Sequence, residues 1–229
     1  MIFIDTVYQR VLAIANKEQR GYITPLEFNL MANQAQLTVF EQYFYDKNQI
    51  ERRPGNDTDY SDVTHILNEK ISIFERTADV TNGTTLPLDL YRLGTILVDE
   101  QHEAEYVDQK DWTYISSSPL AKPTNTRPVY TRNDSGIIVY GDDNTPITAD
   151  VDCIYVKQPH KVEWGYEVVA EKALYNASPN RTFNFEHHPS EETTLVLKIL
   201  EIAGVILQDP GVIQYADQEE LKKVQQEKS

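Results

Sequence analysis

Two adjacent histidines are the residues of this 229-residue chain whose type and spacing come nearest to a metal site. Glu192 follows His188 by about one helical turn, so a helix there could bring a carboxylate beside the imidazoles of His187 and His188. A zinc site needs further ligands at matched spacing, and Cys153 is the only cysteine in the chain. The pattern therefore favours the start of a helix over a metal site.

The acidic stretch from Asp142 to Asp152 resembles a calcium-binding loop only in part. Such a loop needs a glycine at its sixth position and a bidentate glutamate at its twelfth position. Ile147 and Cys153 occupy those two positions here. We therefore expect no calcium site in this stretch.

Catalytic chemistry leaves no local pattern that we can identify. A nucleophilic enzyme places Ser or Cys beside His and an acid, but the chain has neither a nucleophile elbow nor a glycine-rich phosphate loop. Acidic pairs such as Glu219-Glu220 are typical of a solvated helix face. Cys153 begins the apolar run Cys153–Val156, which favours a buried structural thiol. The sequence predicts no catalytic residue, no cofactor and no metal, and a protein that is not an enzyme.

The charge of the chain limits its partners. A formal net charge of -15 repels phosphate backbones, so we do not expect sequence-specific binding of free DNA or RNA. An acidic wall does suit a channel through which DNA slides without being held. The longest apolar stretch, Leu195 to Leu207, contains Lys198 and Glu201 and is too short to cross a bilayer, so no membrane partner is expected.

Helical spacing dominates the beginning of the chain. Apolar residues recur every three or four positions from about Ile4 to Phe74. Asp5 and Ser61 are suitable N-caps for a first and a third helix, while Thr24–Glu27 forms a capping box with proline at the first helical position. The pattern predicts three helices with short connections.

The middle of the chain is typical of strands, and its end is again helical. Leu86, Leu88 and Leu90 alternate, and the two runs 128–132 and 136–140 flank a turn that predicts a hairpin. Ser116–Pro123 is expected to be a surface loop. From Ser190, a predicted N-cap, a helix follows with a regular apolar face.

The expected fold class is therefore α+β. The N- and C-terminal helices would form a helical bundle around an inserted, mainly antiparallel β region. The division that follows from the sequence has residues 1–80 as the N-terminal part of the bundle. Residues 81–185 form the inserted β-rich region, and residues 186–229 are the C-terminal helices that complete the bundle.

Two groups of residues are candidates for a subunit interface. An aromatic cluster ends the second predicted helix, and tyrosine suits interfaces because it joins apolar area to a polar tip. Burial in the chain's own core explains that cluster equally well. The last amphipathic segment could dock on the chain's own bundle or on a neighbouring subunit. The candidate interface residues are Tyr43, Phe44, Tyr45, Val212, Ile213 and Tyr215.

The opening of the chain resembles a known family of virion proteins. The residues that carry the resemblance are Val7–Pro25, followed by Glu27–Leu30 and Ala32–Gln36. These residues are similar to head-to-tail connector or adaptor ring proteins of short-tailed crAss-like and related tailed phages. The resemblance covers mainly residues 4–46, with weaker similarity in Asp152–Pro159 and Glu186–Pro210.

The resemblance implies a ring of identical subunits, commonly twelve, located between the portal and the tail of a virion. Genomic DNA would pass through the ring without specific binding, and no active-site residue carries over. Two alternatives stay open. One is another virion component, such as a head-completion or tail protein, and the other is a small hydrolase with a dispersed active site.

Overall fold

A computed structural model describes residues 1–17, 23–52, 57–81, 83–134 and 136–206. The described chain is a mixed α+β protein with five α-helices and three β-sheets, most of whose strand pairs are antiparallel. It divides into two compact units. The first unit contains Met1–Ile73 and the chain from Pro159 onward, and the second contains Phe74–Gln158.

Five helices are present among the described residues. They are α1 Ile4–Lys17, α2 Pro25–Glu51, α3 Asp57–Ser72, α4 Gln109–Ser117 and α5 Glu192–Ile206. In the first unit α5 packs against both α1 and α2, while α3 packs against α2. The long helix α2 is therefore the element that the other helices of this unit share.

The strands form two four-stranded sheets and one separate hairpin. One sheet has the order β1-β8-β2-β3, the second has the order β4-β5-β6-β7, and β9 pairs only with β10 within the described chain. The strands are β1 Glu75–Asp79, β2 Leu90–Val98, β3 His102–Glu103, β4 Glu105–Tyr106, β5 Val129–Asn133, β6 Gly136–Tyr140, β7 Pro146–Ile147, β8 Val151–Lys157, β9 Tyr166–Val169 and β10 Lys172–Tyr175.

The two four-stranded sheets belong to the second unit and share one apolar core. Ile96 and Cys153 from the first sheet and Ile137 and Val139 from the second sheet are all fully buried in the same cluster. The β5–β6 hairpin is confirmed, with Val129 opposite Tyr140. The predicted buried state of Cys153 is also confirmed, and burial raises the pKa of its thiol.

The capping box that the sequence predicts at the start of α2 is confirmed. Thr24 Oγ1 accepts the backbone N–H of Glu27 at 3.3 Å, and Glu27 Oε2 accepts the backbone N–H of Thr24 at 2.9 Å. The hydrogen bonds from Thr24 lower the pKa of Glu27. Behind the cap, the predicted apolar face is buried along the helix at Phe28, Met31, Ala35, Val39 and Tyr43.

Both helix caps that the sequence predicts for α1 and α3 are wrong. The helix α1 begins at Ile4, and its first N–H is accepted at 3.0 Å by Oδ1 of Asn184, which lies far along the chain. Asp5 is inside the first turn of that helix. The helix α3 begins at Asp57, a turn before Ser61, because Asp and Thr residues at that point suit the start of a helix as well as serine does.

Strands begin earlier than the sequence predicts, since β1 starts at Glu75 whereas the alternating leucines predict a first strand from Leu86. The predicted strand through Leu88 is also wrong. Leu88 is fully exposed in a turn after Pro87, and β2 begins at Leu90. Proline has no N–H to give to a ladder, and this favours a turn.

The helix α4 lies where the sequence predicts part of a surface loop. The helix includes Ser116 and Ser117. It makes a tertiary contact in which the ring of Trp112 stacks on that of Tyr140, with centroids 3.9 Å apart. The strands β9 and β10 were not predicted either. Their sharp turn consists of Ala170 and Glu171, whereas sequence reasoning looks for Asn-Gly.

We expect Ile137→Ala to lower the free energy of unfolding of the second unit by about 2–5 kcal/mol. The substitution removes a fully buried side chain from the shared core and leaves a cavity. Ile154→Ala is the matched control because Ile154 lies on β8 with its side chain exposed, and it should cost less than about 1 kcal/mol. Urea unfolding followed by circular dichroism measures both, and equal losses would contradict a core shared by the two sheets.

Candidate subunit interface

Polar side chains of α2 hold an extended segment of the first unit as a neighbouring strand would. Asn33 Nδ2 donates to the carbonyl of Val162 at 2.9 Å, and Asn33 Oδ1 accepts the N–H of Val162 at 3.0 Å. One turn earlier, Asn29 Oδ1 accepts the N–H of Trp164 at 2.8 Å and Asn29 Nδ2 donates to its carbonyl at 3.4 Å. Each side-chain amide therefore satisfies both backbone groups of one residue.

Gln36 continues the pattern one turn further along α2. Its side chain is buried, and Nε2 donates to the carbonyl of His160 at 2.7 Å. The contacting residues are four and then three positions apart on the helix and two positions apart on the extended segment. Seven helical residues rise about 10 Å and four extended residues about 13 Å, so the two rows of contacts advance at a similar rate. We call Asn29, Asn33 and Gln36 the amide ladder.

An aromatic cluster fixes the end of the same extended segment. The ring of Tyr8 lies 4.6 Å from that of Phe28 and 4.4 Å from that of Trp164. The Tyr8 hydroxyl donates to the carbonyl of Ile23, and Trp164 Nε1 donates to Asp5 Oδ1 at 2.9 Å. The side chains of Asp5, Tyr8 and Phe28 and of the amide ladder, which hold much of this segment, belong to the opening of the chain. Glu186 holds its other end, since Oε2 accepts the N–H of His160 at 3.2 Å.

A buried polar cluster lies where α2, α3 and the start of α5 meet. Lys70 Nζ is 2.7 Å from Glu191 Oε1, and both side chains are largely buried. The fully buried ring of His187 lies 5.9 Å from that of Tyr43. Burial lowers the pKa of His187 to about 4, and the charges of Glu191 and Glu186 oppose that effect only in part. His187 is therefore neutral in the folded chain at pH 7.

His188 and Glu192, the other members of the possible metal pattern, have structural partners. His188 caps a 3-10 turn at Pro189–Glu191 by accepting the N–H of Ser190 at its ring Nδ1, so the prediction of Ser190 as the cap is wrong. Glu192 forms an ion pair with Arg10 at 2.9 Å. Within the described ranges, no group of three or more His, Cys, Asp or Glu side chains is arranged to hold a metal ion.

The predicted interface residues differ in exposure. Tyr43 and Phe44 are buried in the first unit, and Phe44 packs edge-on against Phe40 at 5.2 Å, so neither side chain is available to another subunit in this structure. Tyr45 is 57% exposed. The other three candidates lie outside the described residues, and they are Val212, Ile213 and Tyr215.

Several exposed apolar side chains were not identified from the sequence. They lie near the start of the chain, in the first two turns of α2, on the β9–β10 hairpin and at turns of the second unit. For those on the hairpin, the sequence signal is the pair of apolar runs on either side of Ala170-Glu171. In the first unit they include Phe3, Leu26, Leu30, Val168, Val169, Leu174 and Tyr175, and in the second unit Leu88 and Leu120.

No protein-family model and no curated protein matches this chain. Among the helices in the described ranges, none combines the length and the apolar character needed to cross a membrane. The candidates for contact with other subunits therefore come from the surface of the chain itself, and they are Tyr45 and the exposed apolar side chains of each unit taken separately.

We expect Asn33→Ala to destabilise the first unit by about 1–3 kcal/mol. The substitution leaves the N–H and carbonyl of the buried residue Val162 without partners. Gln34→Ala is the matched control because Gln34 is on the same helix with its side chain exposed, and it should change stability by less than about 0.5 kcal/mol. Chemical denaturation of the full chain measures both changes, and a loss no larger for Asn33→Ala would contradict the role of the amide ladder.

The stability of the first unit should fall in acid because of His187. Between about pH 6.5 and pH 4 the unfolded chain binds a proton at this histidine, while the folded chain excludes it. This difference contributes stability that is fully present above pH 6.5 and decreases by up to about 3 kcal/mol as the pH falls to 4. His187→Phe should flatten the dependence of unfolding free energy on pH over this range.

Exposed His65 provides the matched control for the loss of one histidine, and His65→Gln is measured beside His187→Phe. Urea unfolding at several pH values between 4 and 7 gives the slopes. Identical slopes for His187→Phe and the wild type would show that this histidine is not excluded from protonation in the folded chain.

Proposed function

We propose that this chain is a structural subunit of a tailed-phage virion, a head-to-tail connector or adaptor that joins the portal to the tail as a ring. The observation that carries the proposal is the role of the residues that resemble this family. Residues 4–46 include α1 and much of α2, and they supply the amide ladder and the aromatic cluster that organise the first unit. Their chemistry is that of a scaffold, as expected for a subunit that works by its shape.

In this proposal the helices of the first unit and the C-terminal segment 186–229 form the helical bundle of each copy. The inserted region 81–185 supplies the β-rich part. Copies would bury exposed apolar area against one another, and twelve copies would close the ring. Leu88 and Leu120, both almost fully exposed at turns, would give the β-rich part its apolar contacts with the portal or a tail component.

The net charge of -15 supports a ring around a DNA channel. Acidic walls repel the phosphate backbone, so the genome would move through the ring without being held by it. Contacts between copies that carry the same charge must then be made at surfaces with little net charge. The virion, between the portal and the tail, is the proposed location.

The hydrolase alternative needs a titratable group that a substrate can reach. Burial lowers the pKa of His187 well below its usual range, but the side chain has no exposed surface. Its shift follows from burial against α2 and the start of α5, which is a structural role. This observation supports the assembly proposal over the hydrolase.

The direct test is negative-stain microscopy of the full chain mixed with the portal protein of the same phage. We expect rings stacked on the portal with one copy for each portal subunit, because the proposed function joins the two. The portal alone and the chain alone are the controls. A chain that stays monomeric and never binds the portal would contradict the proposal, and detection of the chain elsewhere in purified virions would favour another virion component.

A further inference from the structure

Among the described residues, no strand pairs with either outer edge of the hairpin β9–β10. Its strands pair in a regular antiparallel register from Tyr166 opposite Tyr175 to Val169 opposite Lys172. The N–H of Asn176 donates to the carbonyl of Gly165 at 2.9 Å, which extends the same register by one pair. The described chain adds no third strand on either side.

The register determines which backbone groups point outward. Antiparallel pairs alternate between hydrogen-bonded and non-hydrogen-bonded, and the Gly165–Asn176 pair is hydrogen-bonded. The N–H and carbonyl of Tyr166 and Val168 therefore point away from β10, and those of Ala173 and Tyr175 point away from β9. Within the described ranges these outward groups form no hydrogen bond with another part of the chain.

Several side chains near the tip of the hairpin are apolar and exposed, and they lie on both of its faces. Val168 is 68% exposed, Val169 54% and Leu174 53%. Proteins usually protect an open edge with charges or proline. The edge strand β1 is protected in this way, since its five residues include two acids and an arginine. The hairpin carries only one charge on each strand.

The base of the hairpin is held firmly in the first unit. Trp164, which the amide ladder fixes, stacks on Tyr166 with centroids 5.9 Å apart and on Tyr175 with centroids 5.6 Å apart. Glu167 accepts a hydrogen bond from Asn176 at 2.8 Å. The open edges are therefore held in a fixed position, and this lowers the entropic cost of adding a strand.

The charge of the residues around the hairpin indicates which partner pairs with its open edges. Residues 160–182 contain three basic and three acidic side chains, so this stretch is neutral and the remainder of the chain carries the whole net charge of -15. Two copies of the chain therefore repel each other little where this stretch meets its equivalent. The six charged residues are Lys161, Lys172, Arg181, Glu163, Glu167 and Glu171.

We propose that the hairpin is the site where a second copy of this chain binds, with β10 of one copy pairing antiparallel with β9 of the next. The inference rests on the proposed ring function and identifies the contact between its neighbours. In this contact, β10 of one copy and β9 of the next pair in the same register as the two strands within one hairpin. It places Val168 opposite Ala173 and Tyr166 opposite Tyr175, with about four hydrogen bonds between the outward backbone groups. Such a head-to-tail contact repeats and can close into a ring.

Val168→Pro tests the β9 edge. Proline at this position removes an N–H that points outward, so every hydrogen bond inside the hairpin is retained. We expect self-association, measured by sedimentation velocity of the full chain with and without portal, to weaken by about tenfold or more. Val168→Thr keeps the N–H and the preference for strand, and it should assemble like the wild type.

Ala173→Pro tests the β10 edge in the same way. A mixture of the two proline variants gives a sharper result, because each retains the edge that the other lacks. We expect the mixture to form pairs that do not grow further, while each variant alone stays monomeric. Unchanged assembly of both proline variants would overturn the proposed contact.

Disulfide cross-linking gives a readout that does not depend on a weakened fold. Copies with Val168→Cys mixed with copies with Ala173→Cys should form a linked dimer on oxidation, whereas Leu120→Cys mixed with Ala173→Cys should not. Rings that form normally but never cross-link at the first pair would overturn the hairpin contact and leave the ring proposal standing. Failure of the wild type to self-associate or to bind portal would instead contradict the ring proposal itself.

Discussion

The constraint on which the first unit depends is the return of the chain to α2 after the second unit. The segment around Val162 lies about 130 residues beyond Asn33, and the length-dependent cost of closing such a loop is about 4 kcal/mol. The amide ladder makes five hydrogen bonds to this segment, each with a net contribution of about 1 kcal/mol. The ladder is therefore of the right size to offset that cost, and the aromatic contacts of Trp164 add to it.

The same return positions the hairpin that we propose as the contact between copies. Trp164 is bound by the ladder on its backbone and stacks on the base of the β9–β10 hairpin through its ring, so the hairpin is held by α2 through one residue. The buried pair of Lys70 and Glu191 joins α3 to the start of α5 in the same unit. Residues at the opening of the chain thus build the support for the hairpin, and the exposed residues near it are free to meet other molecules.

Local signals in the sequence predict the elements that local chemistry determines. Residues that are near one another in the sequence determine the capping box at Thr24, the apolar face of α5 and the turn between β5 and β6. Long-range contacts determine the rest. The stacking of Trp112 on Tyr140 accompanies α4, the cap of α1 comes from Asn184, and the spacing of the amide ladder is indistinguishable in sequence from an ordinary polar helix face. Burial of Tyr43 and Phe44 also depends on packing that spacing alone does not determine.

Hydrogen exchange of the full chain, alone and assembled on the portal, tests the central claim that a rigid unit held by the amide ladder presents an open hairpin to its neighbours. The account predicts slow exchange at the N–H groups of Val162 and Trp164 in both states. It predicts fast exchange at the outward N–H groups of Tyr166 and Val168 in the free chain and slow exchange after assembly. Fast exchange at Val162 in the free chain, or no change at Val168 on assembly, would contradict the account.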